Sequence, residues 1–184
     1  MKKFLNAVRL PVYKMLFLTM SSTGVRVGEC VVLKPENIDF KERCLWVWVE
    51  KKERPVRVPK YFPKFYGKKL KSYLDVFSNR MRLCGHLFPD RHNVSHVSLK
   101  QAGHIFRQTL DRVGLSEYYA LSGNRKLRYF TTNSLRKTFA SYQSSLEQAR
   151  MVLHHANSKI TKRHYYATLK ERKKEMIEAA FEEF

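Results

Sequence analysis

The chain has 184 residues, with 36 Lys and Arg against 16 Asp and Glu, a formal net charge of +20. That length suits one domain with a proper core, and 43% hydrophobic residues, 13% aromatics and few Gly or Pro exclude a disordered basic tail. The most apolar stretch, 12–20, is interrupted by Lys14 and falls short of the roughly 20 residues of a membrane span. The leading Lys2-Lys3 is followed by apolar residues, but Arg9 and Lys14 break that region and no small-residue cleavage site follows, so no secretory signal is read. Cys30, Cys44 and Cys84 form no C-x-x-C pair, and free thiols in a reducing compartment are expected. A charge of +20 points towards a polyanion, and charge alone does not separate nucleic-acid binding from a solvated basic surface.

In chain order, Leu5, Val8, Leu10, Val12, Met15, Leu16, Leu18 and Met20 recur at roughly helical spacing apart from Pro11, and Ser21 to Gly24 ends that helix. A second helix is predicted over 25–33, closed by Lys34-Pro35. The run Cys44-Leu-Trp-Val-Trp-Val-Glu50 reads as a strand, 51–54 as a charged turn, and Val56-Arg57-Val58 as the returning strand of a hairpin. Residues 59–63 read as a loop, 65–83 as a basic helix and 84–97 as a loop. Ser98 caps a helix running to Val113, with Gly114 as its stop. Gly123-Asn124 reads as a turn or flexible loop, and helices follow from Thr132 towards Gln143, over 146–154 and over 161–184. The fold class is mainly α with a small β-hairpin or sheet. No linker composition divides the chain, so 1–184 is expected to be one domain.

Four patterns could carry chemistry: Thr23-Gly24-Val25-Arg26-Val27-Gly28-Glu29; Lys51 in the hairpin turn; Asn133-Ser134-Leu135-Arg136-Lys137-Thr138-Phe139-Ala140; and His154-His155 with Tyr165 ten residues on. Each alone has an ordinary explanation. Arg26 could be a solvated helix residue, Lys51 a solubilising turn residue, Arg136 a structural arginine, and the tyrosines core or surface aromatics. Adjacent histidines on a helix point about 100° apart, and no Cys or carboxylate ligand lies at suitable spacing, so no metal is expected.

In combination and order, these residues resemble the tyrosine recombinase (phage integrase) catalytic domain. The family pattern is T-G-x-R-x-x-E, a hairpin Lys, H-x-x-R, G-H and Tyr. Here Thr23-Gly24-x-Arg26-x-x-Glu29 matches fully, and Leu135-Arg136-Lys-Thr-Phe-Ala140 matches the second box closely. The resemblance covers about 8–170 and implies the DNA breaking-rejoining fold. Two departures stand out. Asn133 occupies the position of the family's His, and His154 that of the Gly before His155. Asn donates a hydrogen bond to a phosphate but exchanges no proton near neutral pH, so a positioning role remains for it. The nucleophile is open between two tyrosines. Ile160-Thr-Lys-Arg-His-Tyr165 fits the ending I-T-x-x-H-Y, whereas Tyr166-Ala-Thr-Leu169 fits the Y-A-H-L ending; Tyr165 is preferred.

The resemblance implies metal-free strand cleavage and rejoining through a 3′-phosphotyrosine, with no cofactor. Tyr165 (alternatively Tyr166) would attack, Arg26 and Arg136 would clamp the phosphate, and Lys51 would protonate the leaving 5′ oxygen. His155 and Asn133 would hold the same phosphate, while Glu29 and His154 support the site. Lys52, Arg54, Lys137, Lys159, Lys162 and Arg163 would contact the DNA backbone, as would the basic stretches 64–71 and 125–128. The implied partner is double-stranded DNA, bound as a homo-tetramer, the free protein being possible as a monomer. The implied setting is cytoplasmic, at the nucleoid of a bacterial or archaeal host of a mobile element. The family's N-terminal core-binding domain is expected to be absent, since the first box begins at residue 23. The apolar stripe within 169–184 is expected to form a C-terminal helix docking in cis or in trans. Two alternatives stay open: a type IB topoisomerase-like DNA-relaxing enzyme, and a decayed DNA-binding module.

Overall fold

Pro11 divides what apolar spacing alone predicts as one N-terminal helix. In the computed structural model, which describes residues 1–49, 55–123 and 125–142, helix α1 (Lys2–Ala7) stops before it and α2 (Pro11–Thr23) starts on it. Leu10 is extended (φ −89°, ψ 121°), as the residue before proline must be, and Pro11 sits in the first helical turn, where its missing N–H leaves no bond unmade. Helix α2 is the central element, packed against α1, the short α3 (Val27–Val31), α4 (Lys64–Cys84) and α6 (Thr132–Ser141). Its Leu16, Phe17 and Met20 are fully buried. Phe4, Phe17 and Phe106 meet with ring centroids 4.9–5.6 Å apart and tie α1 and α2 to α5 (Leu99–Arg112).

Helix α3 ends two residues earlier than expected, and a 3-10 turn over Pro35–Asn37 leads into strand β1 (Ile38–Asp39), an element the sequence does not announce. Strands β2 (Cys44–Val49) and β3 (Val56–Tyr61) complete an antiparallel sheet in the order β1-β2-β3. The expected loop at 59–63 is therefore partly strand, with Trp46 opposite Pro59 and Leu45 opposite Lys60. Strand β3 is an edge, where a proline without an N–H removes no ladder bond.

Helix α4 (Lys64–Cys84) buries Tyr66, Leu70, Tyr73 and Met81 and presents Lys64, Lys68, Lys69 and Lys71 to solvent. The Tyr66 hydroxyl meets Thr19 Oγ1 at 2.8 Å, and the Tyr73 hydroxyl donates to the Leu87 carbonyl at 3.0 Å. Burial pushes both phenols well above the ordinary tyrosine range, so they are structural hydroxyls. The expected loop 84–97 buries Leu87, Phe88 and Val97. As expected, Ser98 caps α5, with its Oγ accepting from the Gln101 N–H at 3.2 Å and Gln101 Oε1 accepting from the Ser98 N–H at 3.1 Å. A second antiparallel hairpin, β4 (Tyr118–Ser122) and β5 (Arg125–Arg128), stands where only a turn or loop was expected. Its first strand is exposed at almost every position, so it lacks the apolar alternation that marks a half-buried strand. Helix α6 (Thr132–Ser141) packs on α2, and Leu135 joins the shared core. The described fold is mainly helical with two small antiparallel sheets. The helices expected over 146–154 and 161–184, and the C-terminal stripe, lie outside the described residues.

Candidate active site

The chain reverses between α2 and α3 within four residues, each with its own task. Thr23 is buried, and its hydroxyl donates to the Thr19 carbonyl at 2.7 Å. Gly24 adopts the left-handed conformation (φ 68°, ψ 17°) and closes α2 with its N–H on the Met20 carbonyl at 3.0 Å. A side chain at this φ would be strained, which accounts for glycine here. Val25 is fully buried and pins the turn, and Arg26 then emerges at the N-cap of α3. Glu29, one helical turn on, holds Arg26 at both ends. Its Oε2 accepts from the Arg26 backbone N–H at 2.8 Å, and its Oε1 pairs with Arg26 Nη1 at 2.6 Å. The Arg26 side chain is 47% exposed, so this ion pair contributes at most about 1 kcal/mol of stability; its effect is to aim the guanidinium.

Arg136 arrives from the far end of the described chain. It lies one turn into α6, is 5% exposed, and its Nη1 donates to the Gly24 carbonyl. One glycine thus ends a helix, starts the turn that delivers Arg26, and anchors the second arginine. Burial, and then the Arg26 charge, lower the Arg136 guanidinium to about 10, against a smaller opposing pull from Glu29. At neutral pH it remains a cation.

The other expected residues of α6 are also in place. Asn133 is exposed on the first turn, one turn before Arg136, and Lys137 is exposed beside it. Lys51, Lys52 and Arg54 lie outside the described residues, as do His154, His155, Lys159, Lys162, Arg163, Tyr165 and Tyr166.

One residue of this cluster escaped sequence reasoning. Lys60, on β3, is 2% exposed, and the charges acting on it include Arg136, Glu29 and Arg26. Burial, then Arg136, lower its amine to about 7; Arg26 adds to this and Glu29 opposes it. The available signal was phase: Val56, Val58 and Lys60 fall on one face of an alternating strand, so a lysine stands at an inward position. Among the described residues, Arg26 and Arg136 are held by bonds to the same turn and its Glu29, and two such guanidiniums suit an anion with several acceptor oxygens. Among the described residues, no three of His, Cys, Asp or Glu come together to ligate a metal, and no helix is long and apolar enough to cross a membrane.

The model of the phage integrase family matches residues 1–172. Solved structures share the fold at low identity. The XerA recombinase superposes with a TM-score of 0.71 at 20% identity, over 95% of this chain and 62% of that one. A XerH site-specific recombinase, solved with a palindromic difH substrate in a post-cleavage complex, gives 0.65 at 19% identity, over 100% and 51%. A lambda integrase fragment, solved as a dimer on a COC′ core site, gives 0.65 at 17% identity, over 89% and 56%. The chain therefore spans between about half and three-fifths of the length of these proteins. Among curated proteins none matches.

Proposed function

The chain belongs to the phage integrase family, and we propose that it is the catalytic domain of a tyrosine site-specific recombinase, cutting and rejoining double-stranded DNA through a 3′-phosphotyrosine. The observation that carries this reading is the convergence of Arg26 and Arg136 on one turn, where Arg136 binds the carbonyl two residues before Arg26. A phosphodiester resists attack because its non-bridging oxygens repel nucleophiles and its alkoxide leaves poorly. Two fixed guanidiniums counter the first difficulty by binding those oxygens and the charge they gain in the five-coordinate transition state.

Tyr165 attacks phosphorus, forming the phenolic P–O bond as the P–O5′ bond breaks. Its phenolic proton passes to a neighbouring base or to water, and Lys51 delivers a proton to the departing 5′ oxygen. His155 and Asn133 bind the same phosphate, and Glu29 aims Arg26. The phosphotyrosyl ester retains the energy of the broken diester, so reversal by a 5′ hydroxyl reseals DNA without a nucleotide cofactor. The basic face of α4, with Lys137 of α6, holds the flanking duplex and makes binding strongly salt-dependent. Assembly on DNA as a homo-tetramer, at the nucleoid of a bacterial or archaeal cell, belongs to the same reading.

The test is a pool of nicked suicide duplexes, from which the 5′ fragment diffuses away and traps the intermediate. A denaturation-resistant protein–DNA adduct is expected from the wild type and from Tyr166→Phe, and none from Tyr165→Phe. The reverse pattern moves the nucleophile to Tyr166. No adduct from the wild-type chain overturns the enzyme and leaves the DNA-binding module. Relaxation of supercoiled plasmid without exchange between paired sites would favour a topoisomerase.

A further inference from the structure

We infer that the β4–β5 hairpin is a stacking platform for unpaired DNA bases, with Tyr118, Tyr119 and Tyr129 meeting the bases and Lys126 the phosphates between them. None of these residues belongs to the motif boxes. The hairpin is short and two-stranded, and its strands pack chiefly on each other, so it adds little to the core. A hairpin kept only to join α5 to α6 would be served by polar side chains. This one places three tyrosines at the surface, 47% exposed at Tyr118, 60% at Tyr119 and 61% at Tyr129, and Leu121 is exposed as well. Their arrangement comes from the register. Tyr118 stands opposite Arg128 and Leu121 opposite Lys126, and directly opposed residues share a face of an antiparallel pair. The Lys126 amine lies 5.0 Å from the centre of the Tyr118 ring, so a cation and an aromatic ring occupy the same face. The register shifts between Tyr118 and Ala120, which makes Tyr119 the extra residue of a bulge. Its ring meets that of Tyr129 with centroids 5.3 Å apart. Arg128 anchors the arrangement through its Nη1 bond to the Ser116 carbonyl.

Charge selects the occupant. Residues 115–130 hold three cations, Arg125, Lys126 and Arg128, against the single carboxylate of Glu117, and the whole chain carries +20. A polyanion is the complement. A duplex would need only the cations, because its bases are stacked on one another and their faces are closed to side chains. Exposed rings beside the cations suit a strand whose bases are free, since every base offers a π face and every linkage a phosphate. Such bases arise when a cut strand leaves its complement to be exchanged. That place in the reaction rests on the function proposed above; the platform itself does not.

The test uses the full chain and three fluorescein-labelled probes of about 15 nucleotides: oligothymidylate, an abasic strand with the same phosphates, and a duplex. By anisotropy, the wild type is expected to bind oligothymidylate about tenfold more tightly than the abasic strand. Alanine at Tyr118, Tyr119 and Tyr129 together should abolish that preference while leaving duplex affinity within about twofold. Phenylalanine at the same three positions should keep it, because stacking uses the ring and not the hydroxyl. Lys126→Ala should weaken thymidylate and abasic strands alike and lower the salt dependence of both. Equal binding of the two strands by the wild type overturns the inference. An equal loss on thymidylate and duplex in the triple alanine variant would make the hairpin a contact to the backbone alone. A preference that survives in that variant places the stacking elsewhere, and a changed oligomeric state beside it would make the tyrosines a protein contact. Failure of the wild type to form an adduct on the suicide duplex counts against the proposed function, while these binding measurements still decide the platform.

Discussion

Arg26 and Arg136 carry the same guanidinium to the same turn, yet they are held in opposite ways. Arg26 is half exposed and governed by near neighbours: Gly24 turns the chain, Val25 pins it, and Glu29 grips both the backbone and the side chain. Arg136 is buried and governed by a contact that spans 112 residues, from α6 back to the Gly24 carbonyl. The first can be aimed by a short stretch of chain; the second is aimed only once α6 has docked on α2. The shared duty proposed for them is therefore compatible with very different structural dependence.

The sharpest way to break this contrast is to remove each arginine in turn. Arg136→Ala and Arg26→Ala are both expected to slow adduct formation about a thousandfold on the suicide duplex. Their urea melts should differ. Arg136→Ala should cost about 1–3 kcal/mol, because it leaves the Gly24 carbonyl without this donor, whereas Arg26→Ala should stay within about 1 kcal/mol of the wild type. Equal losses of stability would erase the distinction. Arg136→Lys should not restore activity, since an ammonium's donors radiate from one nitrogen and do not reproduce the planar fork that reaches the carbonyl and two phosphate oxygens at once.

Next in size is the pH dependence set by Lys60. Its amine titrates at about 7 in the folded protein against 10.5 ordinarily, so between those values the unfolded chain holds a proton that the folded chain sheds. Stability contributed by this group therefore rises with pH across that window and is lowest below about pH 7. Lys60→Met should raise the melting temperature most near pH 6, with the advantage fading towards pH 10. At about 1.4 kcal/mol per pH unit, the whole effect is bounded at about 5 kcal/mol. An advantage independent of pH would place its origin in packing instead.

The smallest expected effects separate the two anchors. Gly24→Ala forces a left-handed φ on alanine and should cost about 1 kcal/mol in a urea melt, besides displacing the carbonyl that Arg136 uses. Glu29→Gln should change stability by less than about 1 kcal/mol while slowing adduct formation, because Arg26 loses its charged partner but keeps its place in the turn. A Glu29→Gln protein as fast as the wild type would show that the turn alone aims Arg26.

The same contrast explains what could be seen in the sequence. The spacing of Gly24, Arg26 and Glu29 is one turn and one helical step, so a local pattern encodes a local geometry. Ser98 and Gln101 announce the start of α5 for the same reason. Asn133 and Arg136 sit one helical turn apart on α6, as their spacing implies, but nothing near them in the sequence names Gly24 as the acceptor. Lys60 was hidden because its strand continues past Pro59, and a proline beside charged residues reads as a loop until the edge position of β3 is known. The β4–β5 hairpin was hidden because the side chains of β4 are mostly exposed and show no apolar alternation. Lys51, His155 and Tyr165 rest on the motif, outside the described residues.

The bond from Arg136 to Gly24 also bears on the order in which the chain becomes competent. The turn around Arg26 can form as soon as α2 and α3 exist. Closing a loop of this span is entropically expensive and is repaid only when α6 packs on α2. A nascent, truncated or partly opened chain thus carries one guanidinium in place and lacks the other. Under the proposed function, strand scission would therefore wait until α6 has docked on α2.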